Sequence, residues 1–239
     1  MIKLLLKTTF FVLVLTSVAS ISKAQIGYDY AQYDFGLGGN INMVYGDAES
    51  VTKTPSASIS FTYNHTPFVN YVVEVQVGTL EGGDKLLLSK SGRYFKNNYT
   101  AFVFKGQLQA GELMDYSRSG AANVLKNLYI SAGLGYLMND IRDGNINRES
   151  IVTPGFVTTG LDKSNELFLP IRLGYEFKVF NRYNEPSFKI DLGAQYNMDF
   201  GDNMDGFDAG KSKDKLIQYS IGLKFAIGGV TSYRKQIHY

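Results

Sequence analysis

The chain has 239 residues, with 24 Lys and Arg against 22 Asp and Glu, a formal net charge of +2, two histidines, no cysteine and no tryptophan. The lack of cysteine excludes disulfides, thiol chemistry, a lipoprotein anchor and cysteine-held zinc. No run of Lys and Arg is dense enough to hold nucleic acid.

At the N-terminus, Lys3 and Lys7 border or interrupt an apolar run from Leu4 to Ala19, and Ser22-Lys23-Ala24 follows as a small-x-small site. Residues 1–24 are therefore expected to be a secretory leader, cleaved before Gln25. Loss of Lys3, Lys7 and Lys23 takes the net charge from +2 to −1.

The rest of the chain alternates between apolar and polar residues with period two, the mark of strands with one apolar face. The first such stretch runs from Tyr33 to Tyr45, with Phe35, Leu37, Ile41 and Met43 on one face and Asp34, Asn40 and Asn42 on the other. In the second, Ile59, Phe61 and Tyr63 oppose Ser58, Ser60, Thr62 and Asn64. His65-Thr66-Pro67 is a tight turn, because proline pre-sets its backbone. The third stretch puts Val69, Tyr71, Val73, Val75 and Val77 opposite Asn70, Glu74 and Gln76.

After a loop expected from Leu80 to Asn97, the fourth strand carries Phe102, Phe104 and Leu108 against Lys105 and Gln107. Glu112 to Lys126 reads as a turn with a short helix. The fifth strand has Leu128, Ile130, Leu134, Tyr136 and Met138 on its apolar face. Asp140 to Lys163 is the longest loop. Leu167 to Phe177 is the sixth strand, where Pro170 predicts a bulge because it removes a ladder N–H. The seventh runs through Phe188, Ile190, Leu192, Tyr196 and Met198. The eighth, Lys215 to Ile227, alternates strictly: Ile217, Tyr219, Ile221, Leu223, Phe225 and Ile227 against Gln218, Ser220, Gly222 and Lys224.

Eight strands, an even number, bring both ends to one side. An outward apolar face and an inward polar one fit a strand that crosses a bilayer, and an open edge in lipid would cost too much, so the sheet must close. The expectation is an all-β fold, a closed antiparallel eight-stranded up-and-down transmembrane β-barrel. Its parts are a leader at 1–24, the barrel at 25–228 and a periplasmic tail at 229–239. Tyr45, Tyr136, Tyr196 and Tyr219 fall at the loop ends of the strands. Phe35, Tyr63, Tyr71, Tyr175, Phe177, Phe188 and Phe225 fall at the turn ends, as two aromatic girdles would require.

Alternation turns eight charges inward: Asp34, Glu74, Glu176 and Asp191 against Lys105, Arg172, Lys189 and Lys224. Their formal charges cancel, and buried charge is costly unless paired. Two readings stand, a mutually neutralised plug and a narrow ion path gated by ion pairs.

No catalytic constellation emerges. The two histidines, His65 in a turn and His238 in the tail, cannot easily meet a serine and a carboxylate in one pocket. The loop with Asp199, Asp202, Asp205 and Asp208 fails the EF-hand spacing, since aligning Gly206 to the turn glycine leaves Gly201 and Ser212 at ligand positions. Its carboxylates read as solvated. No phosphate loop or dinucleotide fingerprint occurs. No metal, cofactor or enzymatic activity is expected.

Ser220-x-Gly222-x-x-Phe225-x-Ile227 resembles the β-signal of bacterial outer-membrane proteins, the last-strand mark read by the barrel-assembly machinery. The opening YDFGLGGNINMVYGD, the GLGY of the fifth strand, PIRLGYEF and IGLKFAIG resemble the small OmpA/OmpX-like outer-membrane barrels of Bacteroidetes. YNHTPF, GTLEGGD and GRYF are similar, more loosely, to the barrel subunit of the type IX secretion apparatus. The resemblance implies an outer-membrane, Sec-exported protein of a Gram-negative bacterium, in contact with outer-membrane lipid and the assembly machinery. It implies a non-enzymatic structural or partner-binding role in the cell envelope, with a periplasmic or secretion-complex protein as partner. A narrow pore or small-molecule transport barrel is the alternative, and a soluble lipocalin-like carrier a third.

Overall fold

The computed structural model describes residues 27–83, 91–116, 119–182, 185–209 and 213–234. The expected leader at 1–24 and residues 235–239 of the expected tail lie outside them. In chain order the elements are β1 (Gly27–Tyr45), β2 (Lys53–Asn64), β3 (Val69–Gly83), β4 (Tyr94–Gln109), α1 (Ala110–Leu113), α2 (Gly120–Leu125), β5 (Leu128–Asp140), β6 (Ile146–Asn147), β7 (Lys163–Phe180), β8 (Pro186–Asp199) and β9 (Lys215–Arg234). Every pairing between strands is antiparallel. The sheet runs β3-β2-β1-β9-β8-β7-β5-β4, and a β3–β4 pairing joins its ends, so eight strands close a ring. The two-residue β6 only adds to the rim of β4. No described helix is long and apolar enough to cross a membrane.

Local chemistry explains the connections. In the turn after β2, His65 N–H and Thr66 N–H both donate to the Val69 carbonyl, while Thr66 Oγ1 accepts from Phe68 N–H and Val69 N–H. A Thr-Pro pair thus satisfies the backbone that the turn leaves open. Ser119 caps α2 by accepting from Ala122 N–H.

The alternation sorts the side chains as expected. Leu134, Ile221, Leu173 and Phe104 point out of the ring and are 61, 59, 58 and 54% exposed. Register also builds an aromatic row across four adjacent strands: Phe188 faces Phe225, Phe225 faces Phe35, and Phe35 faces Phe61. Beside it Tyr63 stacks on Tyr71, with centroids 6.4 Å apart.

Several boundaries differ from the sequence expectation. β1 starts at Gly27 rather than Tyr33. β3 continues to Gly83 and β4 begins at Tyr94, shortening the loop expected from Leu80 to Asn97. β9 does not end at Ile227: residues 230–234 pair with 27–31, so the expected tail begins as strand. Pro170 causes no bulge. Registers on both sides of it stay continuous, and Pro170 pairs with Asn197 on β8. On the β5 side the ladder lapses between Ile171 and Phe168 without an inserted residue. A missing N–H removes a bond, but it does not force an extra residue into the strand.

Candidate functional site: a charge network filling the lumen

β1, β3, β4, β7, β8 and β9 each send charged side chains into the ring, and all eight inward charges expected from the alternation are buried there. At the end nearest the short turns, Lys189 Nζ lies 2.5 Å from Asp34 Oδ2, which also accepts from Asn64 Nδ2 at 2.8 Å. Above this pair, Lys224 Nζ bridges Glu176 and Asp191, at 2.6 Å to each. Gln107 and Gln109 donate to the two oxygens of Glu176. Asp191 Oδ1 accepts from Arg172 and from the Tyr129 hydroxyl, at 2.6 and 2.7 Å, and Arg172 Nε donates to the same hydroxyl. Next, Lys105 Nζ pairs with Glu74 at 2.5 Å and reaches Gln195, while Gln76 holds the other Glu74 oxygen.

Above the charges the network becomes an amide lattice. Gln195 and Asn197 donate to Gln218, and Gln218 donates to Asn42, Gln76 and the Tyr99 hydroxyl. Higher still, Val44, Leu80, Phe95, Val103, Leu137, Phe168, Met204, Phe207 and Leu216 form an apolar stopper. Met204 and Phe207 come from the loop after β8, which folds back into the mouth, where Asn97 Nδ2 donates to the Met204 carbonyl. At the opposite mouth the ring of Phe68, fully buried, packs against Tyr116 and Tyr233. Lys178 donates there to Pro67 and Gln109.

Close packing has a signature at Gly174. A Cβ there would lie 2.4 Å from the Tyr129 hydroxyl and 2.7 Å from a backbone oxygen. The aromatic ring that anchors Asp191 needs that missing methyl. A cavity of about 40 Å³ lies among Glu74, Lys105, Tyr129, Arg172, Asp191 and Lys224. It has room for about three water molecules.

The eight charges follow from the alternation, and so do the inward positions of several groups that hold them. Tyr129, Gln109, Gln195 and Lys178 were legible as inward positions by parity alone. Which charge meets which was not legible, because Lys224 bridges residues from β7 and β8.

The acidic loop differs from expectation. Of its four carboxylates, Asp199 and Asp205 are buried rather than solvated, Asp202 is half-buried and Asp208 is exposed as expected; Asp214, just before β9, is buried as well. Asp205 accepts from the N–H groups of Asp47 and Phe207, and Asp214 from those of Met204 and Asp205. These carboxylates satisfy the backbone of a loop that seals the barrel. Burial pushes the Asp214 carboxyl up to about 8, helped by its neighbour Asp205, and burial raises Asp205 to about 6. Glu166 Oε2 and Asp199 Oδ2, both buried, accept from no N–H group of the described residues. Among the described residues, no three acidic or imidazole groups are placed to hold a metal ion.

Ser220, Gly222, Phe225 and Ile227 all lie on the closing strand. Phe225 and Ile227 point outward and Lys224 inward, as the alternation requires.

No protein-family model and no curated protein matches the sequence. Among solved structures, Neisserial surface protein A aligns at a TM-score of 0.46 and 12% identity, over 82% of this chain and 98% of that one. The attachment invasion locus protein Ail of Yersinia pestis aligns at 0.44 and 10%, over the same shares. The outer membrane protein AlkL aligns at 0.37 and 13%, over 88% of this chain and 94% of that one.

Proposed function

We propose that this chain is an integral outer-membrane β-barrel with a closed lumen, acting as a non-enzymatic structural or partner-binding component of the cell envelope. One observation carries the reading. A closed ring presents apolar side chains outward while four acids and four bases neutralise one another inside it. That pattern inverts the polarity of a soluble carrier barrel, which would hold its apolar groups inside. In lipid, closure satisfies every edge, and pairing removes most of the cost of the buried charge.

On this reading residues 1–24 are a leader removed on export. Ser220, Gly222, Phe225 and Ile227 are the last-strand signal offered to the barrel-assembly machinery. The chain's resemblance to small Bacteroidetes barrels, and more loosely to the barrel of a secretion apparatus, supports a docking role over transport.

The test combines envelope fractionation, a boiled-versus-unboiled gel shift and planar-bilayer recording on the purified protein. The expected result is outer-membrane retention, a heat-modifiable band and no unitary conductance. Steady ion-selective steps would overturn the closed lumen and favour the narrow pore. A water-soluble protein with no heat shift would overturn the membrane reading and revive the soluble carrier.

A further inference from the structure

Four strands descend from the long-loop end of the ring: β2, β4, β7 and β9. Each opens with a lysine on its outward face. Lys53, Lys163 and Lys215 are the first residues of β2, β7 and β9, and Lys96 is the third of β4. The alternation that turns Lys105, Arg172 and Lys224 inward turns these four outward, and all four are exposed. They stand just above the apolar wall: Ile217 lies two residues below Lys215, and Leu167 lies four below Lys163. At the opposite end the corresponding outward positions carry no charge, among them Tyr63, Val69, Leu108, Leu128 and Phe188.

Two of the four lysines are already matched. Lys96 Nζ lies 2.7 Å from Glu81 on β3, and Lys163 Nζ lies 3.4 Å from Asp140 on β5. Lys53 and Lys215 differ. Among the described residues, neither has an acid within ion-pair distance. The carboxylates of the loop above them are engaged elsewhere: Asp47 accepts from Ala209 N–H, and Glu49 pairs with Arg93. β1 runs between the two lysines, with Met43 opposite Lys53 and Tyr45 opposite Lys215. Two strand spacings and a two-residue offset put their Cα atoms roughly 12 Å apart. Tyr45, on the strand between them, is exposed.

We infer that Lys53, Tyr45 and Lys215 form a headgroup site on the outer wall for a phosphorylated glycolipid of the outer leaflet. The inference rests on the outer-membrane reading, which places the long loops outside and these lysines at headgroup height. Position and charge together select the occupant. The two unmatched cations stand directly over exposed apolar side chains of β1 and β9, among them Leu37, Ile41, Tyr219 and Ile221. An amphiphile whose anionic group sits immediately above its acyl chains meets both surfaces at once, whereas a soluble anion would meet only the lysines. Lysine binds phosphate as a point charge, and basic residues at headgroup height hold anionic lipid. Tyrosine at the same height presents an apolar ring and a hydroxyl donor. Lys96 and Lys163 gain less from a phosphate, because an acid already faces each of them. The site is therefore confined to the β9-β1-β2 sector.

The test is native mass spectrometry of the full-length barrel, extracted in mild detergent and offered lipid A purified from the same envelope. The expected result is a retained lipid A, with enzymatically dephosphorylated lipid A and phosphatidylethanolamine retained about tenfold less. Lys53→Gln combined with Lys215→Gln should cut retention of lipid A about tenfold, with the heat-modifiable band unchanged. Lys96→Gln combined with Lys163→Gln removes the same charge from the matched sector and should leave retention within about threefold. Equal retention of the phosphorylated and dephosphorylated forms, or equal losses in the two double variants, overturns the inference. So does displacement of the lipid by millimolar inorganic phosphate at constant ionic strength, which would mark a free-phosphate site. No retained lipid A on a heat-modifiable barrel overturns this inference alone. A water-soluble, unsubstituted chain with no heat shift overturns the outer-membrane reading and this inference with it.

Discussion

Glu74 and Lys105 lie on neighbouring strands, 2.5 Å apart and almost without solvent. Glu74→Gln leaves the ammonium in place without its counter-charge. The expected loss is about 3–5 kcal/mol, because a buried charge has lost its partner. Glu74→Gln combined with Lys105→Gln should recover most of it, since neither side then carries an uncompensated charge. Urea unfolding of the barrel in lipid vesicles, followed by the gel shift, measures both variants. Glu166 should behave in the opposite way. Its Oε2 and the Oδ2 of Asp199 both lack a donor. Glu166→Gln supplies an amide N–H within reach, so the same assay should find it neutral or stabilising. A destabilised Glu166→Gln would mean that the two carboxyls already share a proton.

The loop after β8 is the element whose chemistry depends most on pH. Asp205 and Asp214 are held near 6 and 8, above the ordinary 3.8, and Asp47 and Asp202 add to the negative field around them. A carboxyl whose folded value is raised favours the folded loop in its protonated form. That contribution is complete below about pH 4 and is lost as pH rises through 6 to 8. Amides of residues 203–208 should therefore be well protected from hydrogen exchange at pH 5. Corrected for intrinsic rates, protection should fall about tenfold by pH 9. Protection independent of pH would show that the backbone N–H groups bound to these carboxylates outweigh their burial.

At the scale of the whole molecule, closure is the property on which the rest depends. The β1–β9 seam that seals the ring runs from Tyr33 opposite Ile227 to Tyr45 opposite Lys215. Below it, residues 27–31 and 230–234 pair in the ladder only with each other, and Asn64 of β2 adds one side-chain bond to the Ala31 carbonyl. A chain stopped after Ile227 should still assemble, stay in the membrane fraction and shift on boiling. Failure to assemble would make residues 228–234 part of the closing step.

The strand faces were legible in the sequence because the period of a strand is two: once Lys224 pointed inward, Ser220 and Gly222 did too. The eight lumen charges followed from that parity, and their neutrality from counting. Three features were not legible. The pairing of Lys224 with both Glu176 and Asp191 depends on strand stagger and on how far a flexible side chain reaches. The return of Met204 and Phe207 into the mouth depends on a loop whose acidic residues bind its own backbone, although by type they looked solvated. The run of β9 past Ile227 depends on a partner strand about two hundred residues away along the chain. Alternation is local and set by backbone geometry. Register, loop return and strand length are settled by contacts between distant segments, and only the closed ring brings those segments together.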